Sequence, residues 1–404
     1  MSIDIQRLNQ RLASAQPSAT YRIMDRVADR RAQGAKIISL CAGEPDFDTP
    51  KHVREAAIHA IEHGHTRYTQ VAGVRSFRES VAAKFRRENG LDVSWQDTLV
   101  CNGGKQVIYN ALAATLNEGD QVIVPAPYWV SYPEMVQLCG GEARIVMCDA
   151  GTGFKLTPWA LAAAITPQTR WLILNSPSNP TGAVYSETEL RALAAVLLDH
   201  PHVLILADDI YEHLIFDDQA FYTLAQVEPR LAPRTLTMNG VSKAYAMTGW
   251  RIGFATGPRW LLEAMEKLQG QQTSGASSVS QQAALAALEG PKDFIRESRS
   301  AFQARRDLMV TLLNDTPGLE CVSPAGAFYA FVSCAGLIGR TSPAGRVLHT
   351  DEDVAHALLD EADVAVVHGS AFGLGPYIRI AYALDDASLH QACEAIRAFC
   401  TALR

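Results

Sequence analysis

Short apolar runs alternate with amphipathic segments between residues 98 and 257, and this alternation constrains the fold more than any other feature. Seven runs have the composition of strands: "TLVCNGG", "QVIVPAP", "EARIVMC", "RWLILNSP", "HVLILADD", "TLTMNGVS" and "RIGFATG". Between them, "KQVIYNALAATL" and "SETELRALAAVLLDH" carry apolar residues at helical spacing. Continuous apolar strands separated by helices predict an α/β domain with a mostly parallel sheet, covered by helices on both faces in three layers.

The remainder of the chain has a different pattern. Residues 292–315 read as one long helix, "GAFYAFVSC" and "YIRIAYA" as strands, and residues 385–403 as a closing helix. The segment "GLIGRTSPAGRVLHTDED" is predicted to be an exposed loop because of its Gly and Pro residues. We therefore expect an N-terminal arm that joins a smaller α+β domain (1–44), a large α/β domain (45–291) and a small C-terminal domain (292–404).

Composition excludes several classes of protein. A net charge of −7 argues against a nucleic-acid or membrane-surface binder, which would carry a basic face. No apolar stretch approaches the roughly 20 residues that a membrane span needs. The eight cysteines form no C-x-x-C pair, which indicates reduced thiols rather than a disulfide or metal framework. We expect a cytoplasmic protein without a metal site.

Polar, aromatic and glycine residues collect just after the predicted strands. The segments are "NGGK", "PYW", "NSPSNPTG", "DDIY" and "SK". Because ligands of open parallel sheets bind at the carboxyl ends of the strands, these segments predict the functional site.

A stretch without acidic residues contains the first candidates. From Pro229 to Leu262 the chain has five cations and no Asp or Glu. Lys243 follows a predicted buried strand, where its ammonium form is disfavoured, and such a lysine can form a Schiff base; alone, it would read as a solvated loop lysine. Arg251 and the helix start at Gly103 and Gly104 together suit a phosphate. No P-loop is present, and "GTGFKL" reads as a turn rather than a dinucleotide fingerprint.

Five further side chains are candidates, each with a structural alternative. Asp208 ends an apolar strand and could pair with a protonated ring nitrogen, or cap a helix. Tyr211 and Asn179 could donate to a phenolate oxygen, or serve in packing and in a turn. Trp129 could stack on a ring or belong to the core. Arg379, on a half-buried strand, needs an anion: a substrate carboxylate or a neighbouring Asp or Glu.

These motifs, in this order, resemble class I pyridoxal-phosphate-dependent aminotransferases of fold type I, and most closely the bacterial aspartate aminotransferase branch. The resemblance covers nearly the whole chain and rests on "QPSAT", "CAGEPDFDTP", "RYTQVAGVRSFRESVAAKFRRENGL", "NGGKQVIYN", "PAPYWVSYPEM", "NSPSNPTGAVY", "DDIYEHL", "NGVSKAYAMTGWRIGF", "PAGAFYAF" and "IRIAYA".

The resemblance implies pyridoxal 5′-phosphate (PLP) as the cofactor. It implies Lys243 as the Schiff-base lysine, with Asp208 and Tyr211 as the other catalytic residues. The cofactor-binding residues it implies are Gly103, Gly104, Lys105, Trp129, Asn179, Asp208, Tyr211, Ser242, Lys243, Arg251 and, across a homodimer with shared active sites, Tyr68. The substrate-binding residues it implies are Gly43, Lys105, Trp129, Asn179 and Arg379. Cis peptide bonds are expected before Pro127 and Pro180.

The expected reaction is transamination between an L-amino acid, aspartate or glutamate, and a 2-oxo acid, 2-oxoglutarate or oxaloacetate. Lys105 would bind the substrate's side-chain carboxylate, assisted by Ser18 and Thr20 and by hydroxyls of residues 273–278 of the partner subunit; otherwise Lys105 is an exposed lysine at a helix start. Prephenate, aromatic or alanine transamination and a PLP-dependent lyase are the alternatives.

A PLP-binding transcription regulator belongs to a different class. It would need a DNA-binding domain before "PSAT", which starts at residue 17. A cofactor-free structural relative would be expected to lose Lys243 or Asp208, and both are present. We therefore expect an enzyme that binds no nucleic acid and no membrane.

Overall fold

The regular elements follow the predicted alternation. The computed structural model describes residues 9, 11–12 and 19–404 of the 404-residue chain. The strands are β1 Ile38–Ser39, β2 Thr98–Cys101, β3 Gln121–Ala126, β4 Glu142–Met147, β5 Thr169–Asn175, β6 Leu204–Asp208, β7 Thr235–Gly240, β8 Gly253–Thr256, β9 Glu320–Cys321, β10 Tyr329–Ser333, β11 Val364–Ala365, β12 Val367–His368 and β13 Tyr377–Ala381. The helices are α1 Ala19–Ala32, α2 Lys51–Glu62, α3 Arg75–Asn89, α4 Gly104–Thr115, α5 Ser131–Leu138, α6 Pro158–Ala164, α7 Glu187–Leu198, α8 Leu224–Val227, α9 Arg259–Gln272, α10 Ser278–Glu289, α11 Asp293–Asn314, α12 Asp351–Ala362 and α13 Asp386–Ala402.

The seven predicted apolar runs are strands β2 to β8 of one sheet. Its order is β2-β8-β7-β6-β5-β3-β4. The pairs are parallel except those of β8, which is antiparallel to both β2 and β7. The other six strands therefore end at one edge of the sheet, and β8 begins there. This topology brings the residues before β8 to the edge where ligands of such sheets bind.

Helices cover both faces of this sheet. On β5, Trp171 and Ile173 are buried in one cluster with α4, α5 and α9. Leu172 and Leu174 are buried in another cluster with α6 and α7. Because successive strand side chains point to opposite faces, a strand covered on both sides must be apolar throughout. The three-layer α/β prediction is confirmed.

The C-terminal part contains a second sheet. Strands β12, β13, β10 and β9 form an antiparallel sheet in that order. Helices α11, α12 and α13 share a buried apolar cluster with it. Near the N-terminus, β1 pairs in parallel with β11. The domain boundaries themselves stay a prediction.

The predicted loop at 336–353 is anchored at both ends. The tip, residues 343–345, is exposed as expected. However, Leu337 and Leu348 are fully buried, and α12 already begins at Asp351. The prediction of an exposed loop is wrong at these ends, because the two leucine side chains enter the apolar core of the second sheet.

Three smaller features complete the fold. The peptide bonds before Pro127 and Pro180 are cis, as the resemblance implies, and so are those before Pro177 and Pro376. All eight cysteines are buried, and none is in a disulfide. Among the described helices, none combines the length and apolar character needed to cross a membrane.

Candidate active site

A cavity of about 590 Å³ lies at the edge where the parallel strands end. It brings together most of the site residues predicted from the sequence. Those that line it are Gly43, Gly104, Lys105, Trp129, Asn179, Asp208, Tyr211, Ser242, Lys243, Arg251 and Arg379. Gly103 does not line the cavity, but it lies against Arg251, which does. Tyr68 does not line the cavity.

Lys243 follows β7 and extends into the cavity. Its Nζ donates a hydrogen bond to the Gly43 carbonyl and lies 5.9 Å from the ring centroid of Tyr211. Burial lowers the pKa of Lys243 from 10.5 to about 8, with Arg251 and Arg379 acting in the same direction and Glu44 and Asp208 opposing them. A depression of this size corresponds to about 3 kcal/mol against the charged form. The amine is therefore much closer to neutrality at pH 7 than an exposed lysine.

Arg251 and the start of α4 lie together at one corner of the cavity. Arg251 adopts a left-handed backbone conformation (φ 56°) just before β8, and its Nη1 donates to the Thr248 carbonyl at 2.8 Å. Gly103, with φ 87°, has no side chain to cap α4, and a Cβ there would lie 2.4 Å from Arg251 Nη2. Glycine is thus required for the guanidinium to reach the helix N-terminus, where backbone N–H groups favour an anion.

The five cations of the acid-free stretch fall into two groups, those with several polar partners and those that face the cavity. Arg230 bonds Glu228 at 2.8 Å, Arg259 bonds Asp97 at 2.8 Å, and Arg234 donates to main-chain carbonyls that include His200. In the described part of the chain, Lys243 and Arg251 are the members of the stretch that make neither an ion pair nor such a carbonyl cluster. Both face the cavity.

Asp208, at the end of β6, is a buried carboxylate with few partners. Tyr132 Oη donates to its Oδ2 at 2.5 Å, and the Ile210 N–H donates to its Oδ1 at 3.3 Å. Burial raises the pKa of Asp208 to about 6, against the opposing effects of these two donors and of Lys243. A carboxylate so poorly solvated strongly favours a cationic partner. The alternative that Asp208 caps a helix is wrong, because a turn rather than a helix follows it.

The segment that follows Asp208 is held by a buried ion pair. Lys84 of α3 pairs with Glu212, and it also donates to Asn89 Oδ1 at 2.7 Å. Asn89 in turn donates to Glu212 Oε2 at 2.7 Å. Burial acts to raise the pKa of Glu212, but Lys84, His213 and Asn89 keep it below its usual value. This network fixes the chain directly after Tyr211.

Arg379 on β13 has no acidic partner among the described residues. It is 3 % exposed; its Nη2 donates to the Cys41 carbonyl at 2.6 Å and its Nη1 to Asn179 Oδ1 at 3.3 Å. Its buried Nε has no hydrogen-bond partner. The alternative of a salt bridge to a neighbouring Asp or Glu is therefore wrong, because β13 places the guanidinium between backbone, an amide and aromatic rings. A planar anion is the ligand that would complete its bonding.

Lys105 and Trp129 form the rim of the cavity. Lys105 Nζ lies 4.8 Å from the Trp129 ring centroid, and Thr20 of α1 also lines the cavity. Ser18 lies outside the described residues. Thr273 accepts hydrogen bonds from Asn102 and Gln106 beside α4 rather than lining this chain's cavity.

The aromatic ring of Tyr68 is almost completely solvent-exposed. Its relative accessibility is 99 %, which is unusual for a tyrosine in a helix-connecting segment. It contributes nothing to the cavity of its own chain.

Among the cavity residues that sequence reasoning missed, Asn175, Tyr132 and Tyr329 make hydrogen bonds to predicted site residues. Asn175 accepts from the Asn179 N–H at 2.9 Å and donates to the Asp208 carbonyl at 2.9 Å, so it orients both neighbours. Its place at the end of β5 could have identified it. Tyr132 and Tyr329 lie inside a helix and a strand, and no local signal distinguishes them from core tyrosines.

The comparisons with known proteins agree with this geometry. A family model described as aminotransferase class I and II matches residues 35–396. The chain belongs to the class I and II aminotransferases. A relative from Rhizobium leguminosarum bv. phaseoli, named probable aspartate/prephenate aminotransferase, is 55 % identical over 97 % of this chain and 98 % of its own length. An aspartate/prephenate aminotransferase from Cereibacter sphaeroides is 54 % identical over 98 % of this chain and 99 % of its own.

A solved structure has the same fold. The aspartate aminotransferase from Rhizobium meliloti superimposes with a TM-score of 0.96 at 51 % identity, covering 98 % of this chain and 100 % of that one. The resemblance inferred from the motifs is thus confirmed at the level of the family and of fold type I.

After bound small molecules are removed from this aminotransferase, we expect the Lys243 amine to react with acetic anhydride. The pH midpoint of that reaction should be about 8. Competitive labelling followed by mass spectrometry of the peptide measures it, with exposed Lys267 as internal control. Since the unfolded chain keeps this proton up to about pH 10.5, Lys243 should also make folding more favourable as pH rises from 8 to 10.5. A Lys243 profile superimposed on that of Lys267 would contradict the assignment.

Proposed function

We propose that this aminotransferase transfers the amino group of aspartate or glutamate to 2-oxoglutarate or oxaloacetate with PLP as its cofactor. One observation carries the proposal. Lys243, Arg251 and Arg379 face one cavity, and within the described chain none of them is ion-paired to an acid. An amine that is close to neutral can react with an aldehyde. The two guanidiniums, which have no acidic partner, can bind a phosphate and an amino-acid carboxylate.

The residues present fit PLP. Arg251, Ser242 and the N–H groups at Gly103 and Gly104 would hold its phosphate, since the cradle leaves no room for a Cβ at position 103. Lys243 would hold its aldehyde carbon through Nζ.

The ring of PLP would find its partners deeper in the cavity. Asp208 would accept a hydrogen bond from its protonated ring nitrogen, the cation that this buried carboxylate favours. Tyr211 and Asn179 would donate to its phenolate oxygen. Trp129 would stack against its ring.

The chemistry follows from these positions. When bound, PLP supplies an electron sink for the pair left on the substrate's α-carbon. Arg379 would bind the α-carboxylate beside Gly43 and fix the orientation of the Cα–H bond. Lys243 Nζ would take the α-proton as a general base and return it as a general acid, a role for which a pKa of about 8 is suited. Asp208 would keep the ring nitrogen protonated.

Substrate specificity is assigned to the cavity rim. Lys105 and Thr20 both line the cavity, so a second carboxylate of the substrate would meet Lys105. The names of the relatives from Rhizobium and Cereibacter support aspartate. They also support prephenate as a second substrate, and the apolar rim residues Tyr21 and Met24 could accommodate its larger ring.

We also propose a homodimer with shared active sites. Tyr68 is almost fully exposed and absent from its own cavity, whereas the resemblance implies that it reaches the phosphate of the neighbouring subunit. The exposed apolar side chains Ile58 and Ile61 on nearby α2 favour the same face as the subunit interface.

We expect Lys243→Ala to fold but to lose transamination by at least about 10³-fold, because one group acts as base and acid. Borohydride reduction of the wild-type protein should fix the cofactor to Lys243, and mass spectrometry of its peptide would show it. Lys267→Ala is the matched control. An adduct on another residue, or on none, would contradict the proposal.

We expect Lys105→Ala to lower kcat/KM for aspartate by roughly 10- to 100-fold, the effect of one lost hydrogen bond to a charged group. Alanine and phenylalanine lack the second carboxylate, so their kcat/KM should change little. Steady-state kinetics with these three donors, and with prephenate as acceptor, measures the difference. Equal losses for all donors would show that Lys105 does not determine specificity.

We expect a mixture of Tyr68→Ala and Lys243→Ala to be more active than either variant alone. In a mixed dimer one site combines the intact Lys243 of one subunit with the intact Tyr68 of the other, so about a quarter of sites would be restored after random exchange. Activity is measured after joint denaturation and refolding. No gain over the separately refolded variants would contradict shared sites.

A further inference from the structure

The hydroxyl of Tyr329 lies where several parts of the cavity meet. Tyr329 is 1 % exposed, and its Oη is 2.9 Å from Tyr211 Oη. A Cβ added to Gly43 would lie 2.8 Å from the same Oη. The Tyr329 hydroxyl therefore lies between Tyr211 and the loop whose carbonyl accepts from Lys243.

The ring of Tyr329 supports Arg379. On the antiparallel pair β10–β13, Phe331 is opposite Arg379 and Tyr329 is opposite Ala381. Tyr329 and Phe331 share a face because they are two residues apart on a strand, so Tyr329 is a diagonal neighbour of Arg379. The Arg379 Cζ lies 4.8 Å from the Tyr329 ring centroid. One side chain thus contacts both Tyr211 and the guanidinium proposed to bind substrate.

The hydrogens of the two hydroxyls can be counted. Each phenol has one O–H to donate. If Tyr211 donates to the phenolate oxygen of the cofactor, its hydrogen is used, and the contact with Tyr329 requires Tyr329 to be the donor. A hydroxyl that accepts a hydrogen bond donates a stronger one, because the bonds polarise each other.

We propose that Tyr329 is a positioning residue that acts through Tyr211: its hydroxyl donates to Tyr211 Oη and strengthens the bond that Tyr211 makes to the cofactor's phenolate oxygen. The inference rests on the proposed function, in which Tyr211 has that role. The charged groups around the hydroxyl pair are Arg379 from β13, Asp208 from the end of β6, and Lys243. Burial raises the pKa of Tyr329, so it remains protonated, while Arg379 and the contact with Tyr211 oppose that rise.

The test is the pH midpoint of the visible absorbance of the bound cofactor. If Tyr211 donates a weaker hydrogen bond, the phenolate oxygen keeps more negative charge. That charge stabilises the proton on the nitrogen contributed by Lys243, so the pH midpoint should rise. Tyr329→Phe should raise it by at least about 0.3 pH unit, and Tyr211→Phe by more. In the Tyr211→Phe background, adding Tyr329→Phe should cause no further shift.

The controls separate the hydroxyl from the ring and from general packing. Tyr329→Phe keeps the ring beneath Arg379, so KM for aspartate should change much less than kcat. Tyr382→Phe removes another buried hydroxyl, one that donates to the Ala327 carbonyl at 3.3 Å and does not line the cavity, and should leave the midpoint unchanged.

Two results would overturn this inference and leave the proposed function standing. One is an unchanged midpoint in Tyr329→Phe; the other is that Tyr329→Phe shifts the midpoint equally when Tyr211 is already phenylalanine. Absence of any cofactor absorbance in the wild-type protein would overturn the proposed function, and this inference with it.

Discussion

Cations that face a cavity and form no ion pair with an acid among the described residues are the constraint on which the rest of the site depends. Removing a charge from water is costly unless a partner compensates, and a guanidinium as buried as Arg379 would ordinarily have a carboxylate. The chain does provide one elsewhere: Lys84 is equally buried but is paired with Glu212 and bonded to Asn89. Removal of one partner from such a pair typically costs about 3–5 kcal/mol. Against that scale, the unpartnered Nε of Arg379 supports the proposal that an anion binds there.

The direction of one strand explains how these cations meet. Six strands of the central sheet end at one edge, which places Gly103, Asp208 and Ser242 there. Strand β8 runs in the opposite direction, so its beginning lies at this same edge. Arg251 is therefore at this edge because it precedes β8. Arg379 comes from the second sheet and reaches the cavity through contacts with Cys41 and Asn179. The site is therefore assembled from chain segments that are distant in sequence.

The accuracy of the sequence predictions depended on how local each signal was. Strands β2 to β8 and the lysine, arginine and aspartate beside their ends were predictable, because apolar runs and the residues that follow them are local patterns. Tyr132 and Tyr329 were missed, since their importance lies in contacts with residues far along the chain, whereas Asn175 was overlooked although it ends a predicted strand. The loop at 336–353 was predicted as exposed from its Gly and Pro content, which does not reveal that its leucines reach the core.

The linear order of residues alone determines the α/β architecture, the clustering of polar groups after the strands and the lack of acids between Pro229 and Leu262. Folding determines which charges find partners. Glu228 lies just outside that stretch and binds Arg230, and Asp97, far away in sequence, binds Arg259. Lys243 and Arg251 are left facing the cavity. Electrostatic energy depends on distance and on exclusion from water, and neither is set by separation along the chain.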